Sequence, residues 1–370
     1  MRYLALALTC CCLALCGCGG FWDAPEDNSG STGTSGVGYL YVANGVSTAP
    51  SLAAFSVTSG QVNTLAPSPY ALSGAPISLA ISPQNTWVFV GNASGVYAYS
   101  INSDGSLNAA NSGAPVTIGI IPRAMQVDPT GQWLLIADTT PSISIFAINT
   151  SSGALTLRGH SLQLDSGKVS HLLITPNGTF VFVSLESGGV DILTLDTGGG
   201  TLTKLNQILR PKSTGNADYG LASDPNSSYL LVTETGINAV RVLKIDTDGS
   251  LMELSTSPTA TGNDPEDVMM TAAGTNVYVA NELDNTVSAY AFSDTGSLIE
   301  LSGSPYATGS QPVGIAEDST HTYVMVICTG GSPDLAIFNT TFDVPGSLSS
   351  FASLATAADP ADASAIVASH

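Results

Sequence analysis

A six-residue phrase returns seven times along this chain, and a repeat of that kind leaves few folds open. In its fullest form it runs aromatic, apolar, apolar, Val, small, polar. It stands as Tyr39-Leu40-Tyr41-Val42-Ala43-Asn44 and again as Asn276-Val277-Tyr278-Val279-Ala280-Asn281, with Asn in the first place. Weaker copies begin at Trp87, Trp133, Phe180, Tyr229 and Tyr323. They follow one another at 46 to 49 residues, the period of a four-stranded propeller blade. Seven blades about one axis make a single closed unit, so the repeat decides for one domain over residues 39–370. Only 10% of the residues are charged, while Gly, Ser, Thr and Asn abound, which suits short strands and tight turns.

Each repeat divides in the same way. The phrase is one alternating strand. A second apolar strand follows, for example over 96–101, 190–195 or 287–292. A turn of the form Asp/Asn-x-x-Gly-x-Leu comes next, as in Asp246-Thr247-Asp248-Gly249-Ser250-Leu251. A more polar strand then leads, in several repeats, into Ser-Pro. The last segment is apolar and usually opens with Pro, as from Pro76 or Pro122. The first phrase has no Pro-led segment before it, and the final residues from Pro360 to Val367 supply one with no phrase after it. The expected architecture is therefore all-β: a seven-bladed β-propeller of four-stranded blades, its first blade closed by the C-terminal strand.

The N-terminus carries different information. Arg2 and the apolar run from Tyr3 to Leu15 read as a targeting segment, too short for a permanent membrane helix. The run ends in Leu15-Cys16-Gly17-Cys18, which resembles a bacterial lipobox. By that resemblance residues 1–17 are a signal peptide and Cys18 is the lipidated first residue of the mature chain. Cleavage before Cys16 and an ordinary secretory signal are the alternatives. Residues 18–38 then form a Gly/Ser/Thr-rich tether. The expected location is the cell envelope, with the outer membrane favoured because Gly19 replaces the Asp associated with inner-membrane retention. Only Cys328 remains as a second thiol, and its place in an apolar strand predicts a buried, inert one.

A formal charge of −20 repels phosphate backbones, so nucleic acid is excluded as a partner and a monomer is expected. In a propeller the Pro-led strand is innermost, and its start lines the channel mouth. Aligning these starts places Ile77, Arg123, Ser170, Tyr219, Glu266, Val313 and Ala361 in one ring. The next ring holds Ser78, Ala124, His171, Gly220, Asp267, Gly314 and Asp362. In a chain with four His and nine Lys plus Arg, the grouping of Arg123, His171, Glu266 and Asp267 at one mouth marks them as candidate catalytic residues. Asn44, Asn92, Asp138, Glu234, Asn281 and Glu282 are expected to face the same mouth. Asn102-Ser103-Asp104-Gly105 and Asp246–Gly249 mimic the opening of a calcium loop but lack its twelfth-position acid, and they read as turns. No metal site and no cofactor is expected, and there is no Gly-rich phosphate loop or nucleophile elbow.

The run Tyr278-Val279-Ala280-Asn281, Asn285-Thr286-Val287-Ser288-Ala289-Tyr290 and Thr295-Gly296-Ser297-Leu298, with Ser304-Pro305 and Gln311-Pro312 beyond it, resembles the lactonase-type seven-bladed propellers. These include propeller 6-phosphogluconolactonases, carboxymuconate cyclases and surface repeat proteins named for a Tyr-Val-Thr-Asn phrase. The resemblance implies, for the enzymes among them, a site of His, Arg and Glu at the channel mouth. Two functions follow. The lipobox, tether, acidic surface and cation-poor mouth point first to an envelope-anchored module that binds a small molecule or protein at the mouth. The alternative is a lactone hydrolase in which His171 or Glu266 acts as base and Arg123 holds the oxyanion.

Overall fold

The computed structural model describes residues 38–370 apart from 46–47, 59–60, 213–216, 332, 341–343 and 357–361. The expected signal peptide, Cys18 and the tether up to residue 37 lie outside the described residues, as does Ala361. Seven antiparallel sheets form the blades, and among the described residues the only helical pieces are two three-residue 3-10 turns. In the second blade the order is Pro76–Ile81, Trp87–Asn92, Gly95–Ile101 and Leu107–Ala109 from channel to rim. The first blade takes its inner strand from Ala363–Ala368, which pairs antiparallel with Gly38–Asn44. The first and last strands of the propeller thus meet in one sheet, as the sequence predicts.

Three blades add a two-residue strand to the expected four: Tyr70–Ala71, Thr259–Ala260 and Tyr306–Ala307. The reason lies in the Ser-Pro pairs. Outer strand Leu251–Glu253 covers only Leu243–Ile245 of its neighbour, and the chain then returns so that Thr259 and Ala260 cover Val240 and Ala239. Between them, Ser257 Oγ accepts the Val242 N–H at 3.1 Å and fills the gap in the ladder. Ser68 and Ser304 do the same for Ala54 and Ala289 at 2.9 and 3.0 Å.

The phrase strands are the buried centre of every blade, and their first residue has a second task. Each aromatic head reaches over the outer hairpin turn of the next blade. Trp87 and Trp133 donate their indole N–H to Thr150 O and Thr197 O at 2.9 and 2.7 Å. Tyr39 bonds Ser103 O at 2.9 Å. The ring packs against the glycine of that turn: a Cβ on Gly200, whose φ is +65°, would sit 2.4 Å from the Trp133 ring. The same pairing joins Gly105 to Tyr39, Gly153 to Trp87, Gly249 to Phe180 and Gly296 to Tyr229. The Asp/Asn-x-x-Gly-x-Leu turns are therefore blade-to-blade docking sites as well as turns, and their Gly105 and Gly249 N–H groups bond Asn102 O and Asp246 O at 2.9 Å.

At the base of the propeller one bond recurs in all seven blades. The residue just after each inner strand accepts the N–H of the following phrase. Ser82, Asp128, Thr175, Asp224, Thr271 and Asp318 serve Trp87, Trp133, Phe180, Tyr229, Asn276 and Tyr323 at 2.6 to 3.2 Å. Ser369 Oγ serves Tyr39 at 2.8 Å, across the joint between the first and last strands. Asp128, Asp224 and Asp318 are buried in this role, so part of the chain's acidity is structural and never reaches the surface.

Candidate functional site

The opposite end of the inner strands is irregular. Six of them carry a register shift at their first residues, as between Pro122 and Ala124 opposite Asp138 and Ala137. The extra residue of such a bulge leaves the ladder and turns its side chain out. This is the position of Ile77, Arg123, Glu266 and Val313, in agreement with the first sequence ring. The C-terminal strand needs a correction. Ala363 faces Asn44 and Ala365 faces Ala43, so Ser364 takes the place expected for Ala361, and Ala365 that of Asp362. The alignment from Pro360 is three residues early because the buried Ala363 occupies the slot that Pro fills elsewhere, while Asp362 stays outside the ladder and accepts the Gly45 N–H at 2.7 Å.

His171 and Asp267 are brought together: His171 Nε2 lies 3.4 Å from Asp267 Oδ1. They come from the fourth and sixth blades, with Gly220 of the fifth between them. A Cβ on Gly220 would lie 2.8 Å from Asp267 Cα and 2.9 Å from Glu266 O, so only glycine lets the strands approach this closely. Sequence reasoning placed Gly220 in the ring and gave it no role. Its signal was there, as a residue without a side chain between two titratable ones. Asp267 is held by the N–H groups of Val268 and Ile315, both at 2.9 Å. Burial pushes its carboxyl above the usual range, while His171 and these two donors oppose the rise. His171 is 37% exposed at its side chain, open to the channel.

Arg123 lines the same channel and donates its Nε–H to Val169 O at 3.1 Å. Among the described residues nothing else bonds its two terminal amino groups. Of the other cations on the mouth side, Lys168 is tied to Glu186 at 2.7 Å and Lys212 to Glu253 at 2.8 Å.

Glu266 belongs to a different group. Its carboxylate lies with those of Asp264 and Glu282, ligand atoms all within 4.8 Å of one another. Burial, then Glu282, Asp264, Asp267 and Glu186, push its carboxyl up to about 8. Glu282 is itself raised by burial and by Asp264, although Gln311 Nε2 donates to it at 3.0 Å. Burial, with Glu186, Glu266, Asp264 and Glu282 adding to it, lifts the Tyr219 hydroxyl to about 12. Asp264 and Glu186 were not singled out from sequence. Both sit in loops with positive φ, +55° and +50°, outside the repeated strands.

Asn44, Asn92, Glu234 and Asn281 are buried rather than open to the mouth, contrary to the sequence expectation, while Asp138 is half-buried. Asn44 Nδ2 bonds Thr356, and Asn281 bonds Thr286 and Ser288. The Asn92 side chain is buried and accepts the Ser94 N–H at 2.8 Å, and Asp138 accepts from Thr139 and Thr140. Glu234 is buried against Arg241, at 3.4 Å, and Arg241 also meets Glu253 at 3.0 Å. Beside them burial and Glu234 lift Asp218 to about 7, with Arg241 pulling the other way. Only Glu282, one residue past its phrase, joins the mouth cluster. Cys328 is fully buried, its thiol pushed to about 11, as expected of an inert core residue.

The description "Lactonase, 7-bladed beta-propeller" matches residues 111–170 and 166–320, more than half of the chain. The chain belongs to this lactonase family. Solved structures agree in fold. A putative 6-phosphogluconolactonase from Bacteroides fragilis superposes with a TM-score of 0.74 at 17% identity, covering 92% of this chain and 99% of that one. A second, from Bacteroides uniformis, gives 0.73 at 15%, covering 90% and 100%. A periplasmic gluconolactonase from Pseudomonas aeruginosa gives 0.71 at 16%, covering 90% and 99%. No curated protein matches. At these identities the neighbours speak for the lactonase propeller fold and leave this mouth's residues to be read for themselves.

Proposed function

We propose that this lactonase-family propeller is a hydrolase that opens the ring of an unphosphorylated lactone at the channel mouth. The observation that carries the proposal is the approach of His171 to Asp267 in a channel that Arg123 also lines. A His171 Nε2–H directed at Asp267 leaves Nδ1 to take a proton from water. The water oxygen then forms a bond to the lactone carbonyl carbon, and the carbonyl oxygen takes the charge beside the Arg123 guanidinium. Collapse breaks the ring C–O bond, and a proton returns to the released alkoxide, giving the hydroxy acid. Glu266, at about 8, is mostly protonated at neutral pH. Of the two roles open to the carboxyls here, it thus suits the proton donor better than the base. The acids gathered at the mouth and the pairing of Lys168 disfavour a phosphate.

Family membership favours hydrolysis over the binding-module reading that the sequence put first. The test is pH-stat titration of the purified protein with a panel of lactones. We expect turnover that falls about 10²- to 10⁴-fold in His171→Ala, the usual worth of a general base, with the melting temperature unchanged. Turnover unaffected by that substitution would remove His171 from the reaction. The envelope anchor is a separate proposal, resting on the lipobox ending at Cys18. A Cys18→Ala chain that still takes up labelled fatty acid would end it.

A further inference from the structure

The channel below the mouth continues as a cavity of about 820 Å³, within the ~300–1,000 Å³ common for small-ligand sites. Arg123, His171 and Asp267 line it at the mouth, and Pro129, Pro176 and His370 line it at the base. Between these levels several of its polar groups are already committed to the protein, and Ser223 and the Gln126 amide nitrogen are the ones left open among the described residues. Ser78 Oγ donates to Pro122 O at 2.9 Å, and Gln126 Oε1 accepts the Ile174 N–H at 2.7 Å. Ser170 Oγ is 2.8 Å from Ser184 Oγ, and both oxygens of Asp267 accept backbone N–H groups. A polyhydroxylated sugar lactone entering this channel would lose water and find few partners in exchange, which is costly. What the wall offers instead is hydrocarbon: Ile77, Leu172, Val313, Ile315 and Ile366 all line the cavity.

The rim repeats the pattern. Ile118, Ile121, Ile237 and Leu283 are exposed, and each lies in a loop on the mouth side, leading into an inner strand or out of a phrase strand. Half of the eight large apolar side chains exposed among the described residues are therefore on this one face. Acids stand on the side of the mouth formed by the fourth to sixth blades, and apolar or small residues on the side of Val313, Ser364 and Ile77.

Resting on the hydrolase reading, we infer that the substrate is an uncharged lactone carrying an aliphatic chain, with the ring at His171 and the chain running down the channel. The rim lets the chain in, and the wall holds it by the hydrophobic effect. Ring opening creates a carboxylate beside Asp264, Glu266 and Glu282, and repulsion from these acids favours release of the hydroxy acid.

A chain-length series tests this in the purified protein. From γ-butyrolactone to γ-decalactone, kcat/KM is expected to rise about fourfold per methylene, in line with the free energy of burying one, and to exceed kcat/KM for glucono-δ-lactone. Val313→Asp should lower γ-decalactone turnover and flatten the slope, with circular dichroism confirming the fold. A flat series in the unaltered protein, or preference for glucono-δ-lactone, overturns the inference while leaving the hydrolase reading standing. Should no lactone turn over, calorimetric titration with the same series decides separately. Binding that tightens with chain length and weakens in Val313→Asp upholds the tail site and removes the hydrolase. Binding without such a trend removes both.

Discussion

The two ends of the same seven inner strands behave in opposite ways. At the base, a Ser, Thr or Asp after each strand accepts the N–H that opens the next phrase, seven times over and across the chain joint at Ser369. At the mouth, the equivalent positions read Ile77, Arg123, Ser170, Tyr219, Glu266, Val313 and Ser364, with no two adjacent blades alike. A closed ring of blades needs each blade to dock identically on its neighbour, and the base and the aromatic heads meet that need. The mouth is thereby released from it. Chemistry gathers on one arc, where His171, Asp267, Glu266, Asp264 and Glu282 lie, and the other arc stays apolar.

Changes at the base and at the joints between blades should therefore cost stability and spare the chemistry of whatever remains folded. The largest effect is expected from removing residues 363–370, which takes away a whole strand paired with Gly38–Asn44 and the Ser369 bond. The first blade would expose a sheet edge to the channel, and thermal melts should show a collapse of the transition; an unchanged melt would refute closure. Next comes Trp133→Ala, which loses a buried ring, its bond to Thr197 O and its contact with Gly200. Urea unfolding should register a loss of about 3–5 kcal/mol, with activity per folded molecule retained. Loss of activity without loss of stability would show that base and mouth are not separable in this way.

A change at the mouth should do the reverse. Gly220→Ala forces a Cβ to within 2.8 Å of Asp267 Cα and 2.9 Å of Glu266 O, too close for backbone atoms, so the inner strands must part. Since small misplacements of catalytic groups are costly, kcat/KM should fall about tenfold, with at most a modest drop in melting temperature. A variant of full activity would mean that the His171–Asp267 approach does not matter to turnover.

The same contrast explains what was legible in the sequence. Blade number, strand order and closure could be read because identical docking writes identical residues: the aromatic head, the turn glycine, the Ser-Pro pair. Arg123, His171, Glu266 and Asp267 could be placed in rings because the repeat supplies their register. The repeat is silent where it is broken. Ala363 in place of Pro shifted the last strand by three, and Asp264 and Glu186 lie in loops that no blade copies. Gly220 was visible as a residue, but its meaning depends on the Cα of Asp267 in the next blade, a distance that no single repeat contains.

Glu266 offers the smallest effect and the sharpest comparison, because it separates a titratable mouth from an inert base. Its carboxyl is raised from its ordinary 4.5 to about 8 by burial and by the acids around it. Between these two values the unfolded chain has released the proton and the folded chain still holds it. Stability from this group is therefore complete below pH 4.5 and is lost as pH rises toward 8. Glu266→Gln cannot ionise, so it should gain on the unaltered protein as pH rises from 5 to 8.5. The gain should be about 1 kcal/mol or more, since each tenfold difference in proton affinity between folded and unfolded chains is worth ~1.4 kcal/mol. Activity should follow the same group: turnover that needs the protonated carboxyl falls above pH 8, and that alkaline limb should vanish in Glu266→Gln along with part of the rate. A stability difference independent of pH would place Glu266 among the ordinary surface acids. The mouth would then hold a single working pair, His171 with Asp267, rather than a pair and a proton donor.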